Sequence, residues 1–271
     1  MRRFAPGETV LCAVRLAGGL ARYDFFTSSE AATMAEVIDP AAAPSVPPPR
    51  RSIRSYVRRE GRITEAQQQA LAVWSERFCI GPGAEPLDFS AIFGRDAERY
   101  LEIGCGAGEV LIALASEHPE NDYLGVEVYR PGLGRLLRGL AERKLANVRI
   151  LCGDAASVIE YQVSDQSLAG VYVFFPDPWP KKRHHKRRLM DPEFVAMLRR
   201  KLCSHARVFL ATDWEDYARH IVQVMDEDGG FVNLAGRAVY APRPRWRPLT
   251  RYEQRAHARG HRIRELLYAL A

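Results

Sequence analysis

RYLEIGCGAGE, residues 99–109, decides how the rest of the chain is read. Tyr100, Leu101 and Ile103 form a short apolar run, long enough for one buried strand. Gly104, Gly106 and Gly108 follow at alternate positions, and Glu109-Val-Leu-Ile-Ala-Leu-Ala then reads as a helix that Pro119 ends. Strand, glycine turn and helix open a βαβ unit. The glycines let the backbone turn sharply and approach a ligand with no Cβ in the way. The dinucleotide fingerprint Gly-x-Gly-x-x-Gly would need glycine at 109, where Glu stands, so a nicotinamide dehydrogenase is disfavoured. The plain alternative is a tight turn with no ligand.

Moving outward on the C-terminal side, three further apolar runs end in an acid. Tyr123–Val128 reads as a second strand, carrying Glu127 19 residues after Gly108. A carboxylate there can accept hydrogen bonds from both hydroxyls of a ribose. Val148–Cys152 reads as a third strand leading to Asp154, which either accepts from an adenine amino group or caps the next helix. Val171–Phe175 is a continuous apolar run, as for a central strand buried on both faces. It stops at Pro176-Asp177-Pro178-Trp179-Pro180, where flanking prolines stiffen the backbone around Asp177. Eight basic or potentially basic residues follow, Lys181 to Arg188. A rigid acid, an aromatic and a basic run together suit a base and its phosphates; a solvated loop is the alternative.

Upstream, residues 50–62 read RRSIRSYVRREGR, six of the thirteen being Arg, with Tyr56 among them. Arginines clamp phosphates and an aromatic ring stacks on bases. Thr64 caps a helix expected over Glu65–Cys79, with Leu71, Trp74 and Phe78 on its core face. Residues 80–98 read as a loop, and Pro40–Pro49 as an extended linker. The chain thus divides into an unpacked extension (1–49), a basic arm with a leading helix (50–98) and a main domain (99–271). Met34 offers a second candidate start; a peptide from 1–33 found by mass spectrometry would dismiss it.

Composition sets outer limits. The chain has 271 residues, a net charge of +6 and a sequence pI near 9.2. That excess permits an acidic partner without requiring one. Five scattered cysteines, with no paired spacing, argue against zinc and a disulfide framework and fit the reducing cytoplasm. No apolar run approaches the roughly 20 residues of a membrane span.

FFPDPWPKKRHHKRR (174–188) closely resembles the signature of tRNA (guanine-N7)-methyltransferases, which modify the variable-loop guanosine 46. RSIRSYVRREGRITEAQQQAL (51–71), LEIGCGAGE, YLGVEVYRPG, ILCGDA, ATDWEDYA and RPLTRYEQRAHARGHRIREL match the same family in order. The resemblance covers residues 50–271. It implies a Rossmann-like α/β class I methyltransferase fold: a mostly parallel seven-stranded sheet, helices on both faces and an antiparallel C-terminal strand. It further implies S-adenosyl-L-methionine as cofactor, tRNA as partner, and a monomer or homodimer. Carried over position by position, Glu102, Gly104, Glu127, Asp154 and Asp177 face the methyl donor, with Asp177 catalytic. Lys181, Asp213, Thr250, Arg251, Tyr252 and Glu253 bind the substrate, and no metal is implied. Arg264 and Glu265 depart from the family's more apolar pair. From the residues alone, Asp213 also reads as a helix N-cap, and Thr250-x-x-Glu253 as a capping box.

Overall fold

Apolar strands alternating with amphipathic helices bury themselves by forming one largely parallel sheet with a helical layer on each face. The computed structural model of the chain describes residues 15–16, 19–20, 55–56 and 61–271. Residues 1–39 and 40–271 form separate units. In the first, β1 (Arg15–Leu16) pairs antiparallel with β2 (Gly19–Leu20). The remainder of the expected extension, and most of the basic arm, lie outside the described residues.

The second unit begins with α1 (Glu65–Phe78), β3 (Cys79–Ile80) and α2 (Phe89–Phe93). The expected cap of α1 is present as a full capping box between Thr64 and Gln67. Alternating elements follow: β4 (Arg99–Ile103), α3 (Glu109–Glu117), β5 (Asp122–Glu127), α4 (Arg130–Glu142), β6 (Val148–Cys152), α5 (Ala155–Gln162) and β7 (Leu168–Phe174). After a 3₁₀ turn over Lys182–Arg187 come α6 (Pro192–Lys201), β8 (Leu202–Thr212), α7 (Glu215–Asp228), β9 (Phe231–Asn233), α8 (Arg251–Ala258) and β10 (Arg264–Leu270).

The sheet order is β3-β6-β5-β4-β7-β8-β10-β9, with β10 antiparallel to both its neighbours. The chain runs outward from β4 through β5 to β6, then crosses back to β7 on β4's other side. The order therefore reverses at β4 and β7, where an open α/β sheet forms its ligand crevice beyond the strand ends. The sheet has eight strands where seven are expected. The extra one, β3, is a two-residue edge strand on β6, too short to show any period of its own. The expected loop 80–98 also contains α2, capped by Asp88 and closed by left-handed Gly94.

Both faces are covered. Leu101, Leu124, Val171 and Val208 pack with Val158, Phe194, Leu198 and Ile221 on one side. On the other, Val110, Leu114, Leu136 and Leu140 pack with Tyr123, Ile150 and Tyr172. The unbroken apolar run of β7 follows from this double burial. Trp246 joins the second face edge-on to Tyr172 and Phe209, which draws the proline-rich segment 241–249 onto the sheet.

Candidate active site

The turn after β4 is held by Gly104 N–H and Cys105 N–H donating to the Val126 carbonyl. Gly104, Gly106 and Gly108 all have left-handed φ, between 55° and 74°. Gly108 serves packing: a Cβ there would lie 2.1 Å from Leu136 Cδ1. Gly104 and Gly106 instead face open space, since a Cβ on either would meet nothing closer than 4.0 Å. Of the three glycines, these two leave the backbone open to a ligand.

Around this turn stands a group of carboxylates. Glu127 accepts from Gly106 N–H (2.6 Å), Val128 N–H (2.8 Å) and Tyr129 N–H (2.7 Å). Burial raises its pKa against those bonds, and Asp177 adds to the rise. Glu102 is buried; burial pushes its pKa up to about 8, with Glu127 and Glu109 contributing. Its Oε2 has no hydrogen-bond partner. Glu102 thus feels Glu127 and Glu109, and Glu127 feels Asp177, an arrangement whose cost a cation would relieve. Asp154 caps α5 by accepting from Ser157 N–H at 3.2 Å, the second of its two expected roles.

Beyond β7 the backbone is forced into left-handed conformations at Phe175 (φ 53°) and Trp179 (φ 47°), rare for such bulky residues. The surroundings hold them there. Phe175 N–H donates to the Ala211 carbonyl. Trp179 is buried, its indole N–H donating to the Ser55 carbonyl at 2.9 Å, with the Arg187 guanidinium over its ring. Arg188, also buried, donates to the Pro178 carbonyl and to Asp216 of α7. Asp177 therefore sits in a loop braced on three sides. Lys181 is the N-cap of the 3₁₀ turn, and Lys182 and Lys186 are exposed.

Of the residues expected on the substrate side, Thr250 through Glu253 and Asp213 meet at α8, while Lys181 does not. Thr250 caps it, accepting from Glu253 N–H at 3.2 Å. The capping box is only half formed, because the Glu253 carboxylate turns away into a buried cluster. It accepts from Arg243 (2.8 Å) and from both terminal nitrogens of Arg247 (2.8 and 3.1 Å). Burial would raise the Glu253 pKa, but these guanidinium groups outweigh it and the net direction is down. Arg247 also pairs with Glu265 and lies over the rings of Phe174 and Phe175. Arg251 N–H donates to Glu109 Oε2 at 2.8 Å, joining the start of α8 to the glycine turn. Tyr252 lies 4.8 Å from Phe175, ring to ring, and donates to Asp213 Oδ1 at 3.3 Å. Asp213 is not the cap of α7, whose N-cap is Trp214.

Four participants had no signal of their own in the sequence. Glu109 marked only a missing glycine. Arg188 is one cation in a run of eight, and Arg247 stands among prolines and other arginines at 242–248. His261 stands in no local pattern. Arg264 and Glu265, read as departures, have partners in Glu215 and Arg247.

Residues 96–266 match a family profile described as putative methyltransferase. The crystal structure of the 16S rRNA methyltransferase KamB superposes with a TM-score of 0.52 at 14% identity, over 69% of this chain and 95% of that one, a likeness of fold alone. The family profile, with the fold described above, places the chain among Rossmann-like methyltransferases. A tRNA (guanine-N(7)-)-methyltransferase of Alcanivorax borkumensis is 46% identical over 218 residues, 80% of this chain and 91% of its own. One of the same name from Alkalilimnicola ehrlichii is 48% identical over 221 residues, 81% of this chain and 93% of its own. The chain belongs to the tRNA (guanine-N7)-methyltransferase family.

Proposed function

We propose that this protein transfers a methyl group from S-adenosyl-L-methionine to N7 of a tRNA guanosine, position 46 of the variable loop. The observation that carries the reading is the braced loop: an acid between two prolines, at the crevice end of a central strand, followed at once by exposed cations. The residues of the glycine turn fit the methyl donor. The open backbone at Gly104 and Gly106 leaves room for it, and the unpartnered Glu102 oxygen among neighbouring carboxylates suits a cationic ligand. Glu102, Gly104, Glu127 and Asp177 would hold it, with Asp154 toward the adenine. When bound, this cofactor supplies an electrophilic methyl on a sulfonium.

Guanine N7 has an in-plane lone pair and carries no proton, so no general base is required. The chain's work is alignment and electrostatics. Asp177, assisted by Asp213, accepts from the ring N1–H and exocyclic amino group, which fixes the base and opposes its growing positive charge. Adenine lacks those donors on the corresponding edge. Lys181 and the cations through Arg188 grip phosphates, and Thr250 through Glu253 build the substrate wall, Glu253 from behind it. The dispersed cysteines, free where described, fit action in the cytoplasm. Among the described residues no helix is long and apolar enough to cross a membrane.

The test is incubation with labelled methyl donor and bulk tRNA lacking the modification, followed by mapping of the labelled base. Label at a guanine N7 of the variable loop is expected; label elsewhere, or none, overturns the reading.

A further inference from the structure

Asp213 is held by both ends of one short helix. Its Oδ1 accepts from Tyr252 in the first turn of α8. Its Oδ2 faces His261 Nδ1 at 2.7 Å, just past the helix's C-terminus. A carboxylate only accepts, so the Nδ1 facing it carries the proton. The backbone at His261 is fixed as well. Gly260, at φ 74°, donates to the His257 carbonyl, and His261 N–H reaches back to the Ala256 carbonyl at 3.0 Å. That is the Schellman pattern of a helix end, with His261 as its second residue past the cap. The carboxylate thus has a donor on each oxygen, and its side chain is 11% exposed.

We propose that His261 is a positioning residue for guanine recognition: with Tyr252 it clamps the Asp213 carboxylate in the one orientation that meets the donor edge of the base. The inference rests on the guanine-N7 reading. A carboxylate free to rotate would pay for its alignment each time a base arrives, whereas one held at both oxygens is oriented beforehand. Each oxygen keeps a further acceptor site for the base. Because α8 and the turn that closes it supply the two donors, and the first residue of α8 also bonds Glu109 beside the glycine turn, the clamp is set in register with the cofactor crevice.

The test compares wild type, His261→Ala and His261→Asn, the last restoring an N–H near the Nδ1 position. With tRNA and methyl donor varied in turn, His261→Ala is expected to lower kcat/KM for tRNA about tenfold or more. The KM for the donor should stay within about twofold and the Tm within a few degrees. His261→Asn should recover most of the loss. The proposal is overturned if His261→Ala matches wild type, if Asn is no better than Ala, or if the loss comes with a lowered Tm and a raised KM for the donor. Wild type that fails to label guanine N7 refutes the functional reading instead, so the two failures are distinguishable.

Discussion

Asp177 illustrates how single positions are set here by their neighbours. Left-handed Phe175 and Trp179 flank its prolines, and conformations of that kind cost on the order of 1–3 kcal/mol each unless the surroundings impose them. The imposing groups are Ala211, Ser55, Arg187 and Arg188. A charge-assisted hydrogen bond is worth about 1.5–3 kcal/mol, so Asp177→Ala should slow methylation by roughly ten- to a hundred-fold or more. Filter binding should find tRNA affinity nearly unchanged. Normal turnover in that variant would remove Asp177 from the chemistry. The residue was legible in the sequence because proline, acid and apolar strand are neighbours in the chain. His261 was not, because its partner is 48 positions away.

At the scale of elements, the 3₁₀ turn and α8 divide the work between charge and register. The 3₁₀ turn buries none of its six residues and presents cations to solvent. Neutralising Lys182 and Lys186 together should weaken tRNA binding and flatten its log–log salt dependence by about 1.5. A slope equal to wild type would take the turn out of the interface. α8 is anchored through Glu253, which is buried with Arg247 and Glu265, while Arg243 pairs with it from the solvent side. Removing one partner of such a buried group typically costs about 3–5 kcal/mol, because the remaining charge is left unpaired. The Thr250-x-x-Glu253 spacing marked a helix start correctly. It said nothing of where the carboxylate points, since a capping box and a buried ion pair use the same residues.

For the molecule as a whole, the carboxylates at the crevice link stability to pH. Glu102 titrates near 4.5 when unfolded and is raised to about 8 by burial in the folded protein. The folded state then holds the extra proton between those values, so stability is fullest below the lower one and declines as pH rises toward the upper. Each pH unit over which the states differ by one proton is worth about 1.4 kcal/mol. Urea unfolding between pH about 5 and about 8 should show this fall, and Glu102→Gln should reduce it, leaving the contributions of Glu127 and Glu265, both also raised by burial. An identical slope in wild type and Glu102→Gln would show that Glu102 ionises freely.

The sequence by itself determined the alternation of strands and helices, the glycine turn, the acids at the strand ends and the basic run after Pro180. All of these are patterns among neighbouring residues, governed by local backbone preference and periodic burial. Tertiary structure alone decided the rest. It set the two-residue edge strand β3, the turning of Glu253 away from its cap, and the bond from Arg251 to Glu109. It also set the clamp of Tyr252 and His261 on Asp213. Each depends on groups far apart in the chain meeting in space, and a side chain's partner is chosen by the packing around it rather than by the residues beside it.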